Sequence, residues 1–323
     1  MVKKILLWLT FFLTFKIALV LLVGQFTVDP RRDIATRKAH YNAFDPNTVF
    51  IGTSRTLYGI NPAIFDSLNA GKTRSYNMGL FSLSFANSLD IARDLIQNNP
   101  ETKTFFVELS ALDYSTIHLK PQYVVKDVYF RTRVMHGATS VGNQEKWSDF
   151  LTGLNTTIFQ TLSIAPQIAA VKKMSKPVND PIEGPPDLEK NGMQRVDLRI
   201  SGLNTVVINN RFYTQKLMTL DKKLPPNAYF LSEINEVIAL GKAHGKRVTF
   251  YMPNNITKGE FEILSQVAPY IPEVNFIALQ KDPGLDAIFK PENLFDSHHL
   301  NAKGSAIYTR YLQEQFTKKT DTL

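Results

Sequence analysis

Three residues far apart in the chain have types suited to acyl chemistry. Gly52-Thr53-Ser54-Arg55 directly follows the apolar run Thr48-Val49-Phe50-Ile51. A serine there stands at the carboxyl edge of a sheet, where turn amides can stabilise an oxyanion. Taken alone, such a serine is more often a turn or helix-cap residue. Asp296-Ser297-His298-His299-Leu300-Asn301 precedes the last helical pattern. An Asp three residues ahead of a His can turn its carboxylate onto the imidazole. That contact holds the tautomer and stabilises the imidazolium formed when the His takes a serine proton. The same stretch also reads as a polar helix start, with Asp296 as its cap. A metal site on His298 and His299 is disfavoured, because adjacent side chains diverge and no third ligand stands at suitable spacing.

These residues need a scaffold that brings strand ends together. Thr48–Ile51 reads as a buried strand ending at Gly52, and Arg74–Met78 as a short strand ending at Gly79. Leu83–Gln97 has helical spacing and stops at Asn98-Asn99-Pro100; Thr104–Leu109 is the next buried strand. The alternation resumes with a helix over Asn227–His244, a strand over Arg247–Met252, a helix over Lys258–Ala268, a strand over Asn275–Leu279 and a helix over Ala302–Phe316. Strands alternating with helices predict an α/β fold: a parallel sheet with helices on both faces. Between about 120 and 225 the alternation is lost, which predicts a long insertion of helices and loops. Insertions of this kind sit over the carboxyl edge of the sheet and shape the cleft there.

The 323 residues suffice for one large domain with an elaboration. There are no cysteines, which excludes disulfides, thiolate metal sites and cysteine nucleophiles. The net charge of +8 is scattered, with no basic stretch interleaved with aromatics, so no nucleic-acid partner is expected. No cofactor and no metal is expected either.

Ile5–Val23 carries a single charge, Lys16, and 14 Leu, Ile, Phe or Val residues. Those residues contribute roughly −0.3 to −0.6 kcal/mol each to insertion, against about +3 for one central lysine. The run is followed by Gly24-Gln25-Phe26 without an Ala-x-Ala cleavage pattern, which predicts an uncleaved transmembrane anchor over residues 1–26 and an α/β domain over 27–323. Lys3 and Lys4 precede the run and Arg31, Arg32, Arg37 and Lys38 follow it, so positive charges alone do not put the domain outside.

The order Ser, Asp, His, with Asp-x-x-His near the carboxyl end of an α/β chain, resembles the SGNH (GDSL-like) hydrolase family. Gly52-Thr53-Ser54 matches its first block, Asn77-Met78-Gly79 the second, and Asp296 to Asn301 the last. The resemblance covers about residues 48–113 and 227–316. It implies a flavodoxin-like parallel sheet, a Ser54–His299–Asp296 triad, and an oxyanion hole from the amides of Ser54 and Gly79. The third block, Gly-x-Asn-Asp, is replaced by Glu108-Leu109-Ser110-Ala111-Leu112-Asp113, leaving Ser110 or Ser82 as substitutes for its donor. With a membrane anchor and a lost third block, the chain is similar to members that work beside membrane-bound O-acyltransferases, in D-alanyl transfer and alginate acetylation. That implies a bacterial membrane protein with an extracytoplasmic domain, acting as esterase or acyltransferase on an acylated glycan or acyl donor. A non-catalytic glycan-binding scaffold and a cytoplasm-facing lipid esterase are the other expectations.

Overall fold

The computed structural model describes residues 1–26, 29–111, 163–173, 180–220, 224–280 and 284–320, with Tyr129, Thr132, Leu151 and Asn155. The proposed insertion over 120–225 therefore falls partly outside the described residues. Among those that are described, it contains helices over Ala165–Lys173 and Thr205–Met218.

The chain opens with helix α1, Val2–Phe26. Its segment Val2–Leu22 is long and apolar enough to cross a membrane, with a mean hydropathy of 2.4, and none of it is buried. Helix α2, Ile34–Phe44, follows, capped by the Asp33 carboxylate accepting from the Thr36 amide. Strand β1 is Thr48–Gly52, followed by α3, Ser54–Gly59, and α4, Pro62–Leu68. Strand β2 is Ser75–Gly79, α5 is Phe85–Asn98 and β3 is Thr104–Glu108. Then come α6, Ala165–Lys173, and α7, Thr205–Met218. Helix α8, Ala228–Ala243, leads to β4, Arg247–Tyr251; α9, Lys258–Leu264, leads to the two-residue β5, Phe276–Ile277. Helix α10, Ala302–Thr320, ends the fold.

All strand pairs are parallel, in the order β2-β1-β3-β4-β5. Successive side chains on a strand point to opposite faces. On one face Phe50 stacks on Phe106 at 4.6 Å, and both meet Phe65 of α4; Phe316 of α10 closes on Phe106. On the other, Phe250 meets Phe85 of α5, which stacks on Phe230 of α8. Each such buried ring contributes on the order of 2 kcal/mol. The parallel α/β reading is thus observed, with helices on both faces.

Several boundaries differ from the periodicity. Ser84 accepts the Asn87 amide, so α5 starts at Phe85, not Leu83. Asn227 caps α8 in the same way, and the Thr257–Glu260 capping box fixes the start of α9. Helices α2, α3 and α4 are too short or too polar to carry a clear 3.6-residue pattern in the sequence.

Candidate active site

The β1 run ends where Thr53, in extended conformation, caps α3 by accepting the Arg55 amide at 3.2 Å. Ser54 is the first residue of that six-residue helix. From Ile51 to Ile60 every other residue is buried, and Ser54 alone is partly exposed. The turn therefore leaves one hydroxyl partly open on an otherwise packed edge.

The partner segment is a loop closed by an antiparallel bridge between Leu294 and Leu300 and by the Phe295 amide donating to the His299 carbonyl at 3.1 Å. Asn301 accepts the amides of Lys303 and Gly304, which starts α10 directly behind the loop. Asp296 Oδ1 accepts the main-chain amides of His298 at 2.7 Å and His299 at 2.8 Å. Its carboxylate also meets His299 Nδ1, at 2.8 Å from Oδ2 and 3.0 Å from Oδ1. Burial acts to raise the Asp296 pKa, but the His299 contact and the two amides hold it below the ordinary carboxylate value. His299 Nε2 stands 2.8 Å from Ser54 Oγ. With Nδ1–H donating to Asp296, Nε2 is the free acceptor for the serine hydroxyl. Phe295 stacks on the imidazole at 5.4 Å and Tyr58 meets it edge-on at 5.1 Å, so its ring plane is fixed from two sides.

His298 turns the other way, with Nδ1 3.3 Å from Asn210 Nδ2 of α7. Burial, and then the neighbouring His299, lower its pKa. Among the described residues no group of three or more His, Asp or Glu side chains is arranged to hold a metal ion.

Gly79 departs from its expected role. Its amide donates to Asn77 Oδ1 at 2.9 Å and is not free for an oxyanion. Glycine is required there for another reason: a Cβ would lie 2.2 Å from the Leu57 amide nitrogen. Asn77 Nδ2 donates in turn to the carbonyls of Thr56 at 2.7 Å and Ile60 at 2.8 Å. This block clamps β2 onto α3 and so holds the helix that begins with Ser54. Ser110 is buried, with its hydroxyl 3.4 Å from Arg55 Nη2. Ser82 differs from both. It is partly exposed, its φ is +48°, and neither its amide nor its hydroxyl has a partner among the described residues. The Leu80 amide donates to the Gly52 carbonyl at 2.9 Å, so the chain leaving β2 runs against the end of β1. Phe81 meets Tyr58 at 5.7 Å, and Tyr58 meets His299.

A buried charge cluster with no local signal in the sequence lies beneath Ser54. Glu108 accepts the Thr53 amide at 2.9 Å, the Thr53 hydroxyl at 2.9 Å and the Thr56 hydroxyl at 2.6 Å. Arg55 pairs with Glu108 at 2.8 Å and with Glu260 at 2.8 Å. Burial opposes its charge, but the two carboxylates, Glu260 first, raise its pKa above the ordinary value, so the guanidinium stays charged. Gly52 makes room for this cluster: a Cβ there would lie 2.0 Å from Thr56 Oγ1 and 2.5 Å from Glu108 Oε2.

No family model matches the chain, and no curated protein or solved structure matches it.

Proposed function

We propose that the protein is a membrane-anchored serine esterase or acyltransferase of the SGNH type, acting on O-acyl groups of a cell-envelope or extracellular polysaccharide. One observation carries the reading: the continuous Ser54–His299–Asp296 hydrogen-bonded chain, with Ser54 partly exposed at the carboxyl edge of a parallel sheet. The strand order supports it too, since 2-1-3-4-5 is that of flavodoxin-like sheets, whose ligands bind at this edge.

In this reading Ser54 Oγ attacks the acyl carbonyl while His299 Nε2 takes its proton. Asp296 stabilises the resulting imidazolium and does not itself take a proton. His299 then protonates the leaving alcohol, and the acyl group stays on Ser54. Water or a sugar hydroxyl, deprotonated by His299, attacks the ester and releases Ser54. Water gives hydrolysis and a sugar hydroxyl gives transfer. The oxyanion binds the amides of Ser54 and Ser82, since the Gly79 amide is engaged and Ser110 contacts Arg55. The apolar α1 suits an anchor beside a membrane acyl donor or a membrane-bound O-acyltransferase partner, with the domain extracytoplasmic.

The direct test is reaction with a fluorophosphonate probe. The folded wild type should label, and Ser54→Ala and His299→Ala should not. A folded wild type that does not label rejects the nucleophile and leaves a glycan-binding scaffold.

The oxyanion assignment has its own expected result. Ser82→Gly keeps the amide and suits a positive φ, so kcat on p-nitrophenyl acetate stays within a few-fold of wild type. Ser82→Val cannot keep that conformation and moves the amide; kcat should fall about 10²-fold. Equal rates in the two variants would remove Ser82 from the oxyanion hole.

A further inference from the structure

The Ser54–His299 contact joins two segments that are 245 residues apart and share no strand. Something must fix their separation to within a few tenths of an ångström. The residue after the nucleophile reaches across that gap. Arg55 Nη1 donates to the main-chain carbonyl of Asn255, in the loop between β4 and α9. Asn255 Nδ2 then donates to the carbonyls of Ser297 at 3.3 Å and His298 at 3.1 Å, the two residues between Asp296 and His299. A single path of hydrogen bonds thus runs from the nucleophile helix, through Asn255, to the loop carrying the base.

The rest of the cluster holds this path in register. Arg55 Nε donates to Glu108 Oε1 at 2.9 Å, and its Nη1 and Nη2 reach Glu260 at 3.0 and 2.8 Å. The guanidinium is buried and every one of its nitrogens is engaged, so it has no donor left for substrate. Glu108 grips the Thr53 amide at the nucleophile turn, and Glu260 is the capping-box residue of α9, which fixes the loop bearing Asn255. A planar guanidinium with forked donors suits such a junction better than an ammonium.

We propose that Arg55 and Asn255 are positioning residues that set the distance between Ser54 and His299, with Glu108 and Glu260 as their supports. The proposal rests on the serine-nucleophile reading for its kinetic consequence, but its structural consequence stands without it.

Asn255→Asp is the sharpest variant. It keeps size and shape but turns an oxygen toward two carbonyls that need a donor. Asn255→Ala removes the contact without adding a charge. In both, kcat on p-nitrophenyl acetate, normalised to active sites titrated by fluorophosphonate, should fall about 10²-fold. KM should stay within about twofold, since the ester-binding surface is untouched. Arg55→Lys should behave in the same way where it folds; the Asn255 variants decide the matter where it does not. A crystal structure of Asn255→Asp should have Ser54 Oγ and His299 Nε2 beyond hydrogen-bond distance. Wild-type kcat per titrated site, or an unchanged separation in that crystal structure, overturns the proposal. If the wild type fails to label, the nucleophile reading falls, while the crystallographic separation still decides whether Asn255 sets the geometry.

Discussion

Ser54→Ala should abolish ester turnover while leaving the fold intact. Among the described residues Ser54 Oγ has one hydrogen-bond partner, His299 Nε2, and Ser54 is partly exposed, so its loss breaks no buried polar network. The thermal midpoint should stay within a few degrees of wild type. The kinetic effect is large because alanine removes the atom that forms the covalent intermediate. Triads lose on the order of 10⁶-fold in kcat when the nucleophile goes, and about the same when two members go together. The double variant Ser54→Ala/His299→Ala should therefore be no slower than either single variant. Independent losses that multiply would mean that the two residues do not act as one unit, which would defeat the triad mechanism.

Glu108→Gln should have the largest effect on stability. The carboxylate is fully buried and accepts from the Thr53 amide, the Thr53 and Thr56 hydroxyls and Arg55. An amide of the same shape presents an NH₂ group to donors and leaves Arg55 with Glu260 as its sole carboxylate. Breaking a buried charge pair by removing one partner costs about 3–5 kcal/mol. That corresponds to a fall of roughly 5–15 °C in the melting midpoint. Thermal unfolding followed by circular dichroism measures it directly. A shift of a degree or two would mean that water replaces the lost contacts, and that the cluster is not the keystone of the strand ends. Replacing the whole cluster with well-packed apolar residues would be far milder than this single change, because no charge would then be left uncompensated.

Much of the framework was legible because its signals are local. Thr48–Gly52 and Arg247–Tyr251 are short apolar runs bounded by turn residues, and such runs become buried parallel strands. Asp296 and His299 lie three residues apart, so a single loop suffices to bring them together, and Ser54 follows a strand whose end the sequence announces. The rest depends on information that no local window holds. Gly79 follows a strand just as an oxyanion glycine would, yet the close approach of Leu57 is what requires it, and that approach belongs to packing. Ser82 has a positive φ, a conformation that composition does not encode for a serine. Arg55, Glu108 and Glu260 are types expected at the surface, and they meet across 53 and 205 residues of chain. Asn255 carries no local signal of its place in the network; its side chain is buried against the Ser297 and His298 carbonyls.

The start of the folded domain limits where the protein can work. Helix α1 ends at Phe26, and Arg31 is already fixed in the domain by Asp29 and by the carbonyls of Pro181 and Gly184. The Phe26-to-Asp29 span is at most about 11 Å. With Val2–Leu22 in a bilayer, the domain has almost no leash and patrols a thin shell over the membrane. On the proposed reading, acyl groups in that shell would be presented at a high effective concentration, while polymer that had grown past it would be out of range. Inserting a flexible Gly/Ser segment between Phe26 and Asp29 would widen the shell and dilute the site within it, which under the proposed function would alter the part of a glycan that is modified while leaving Ser54, Asp296 and His299 unchanged.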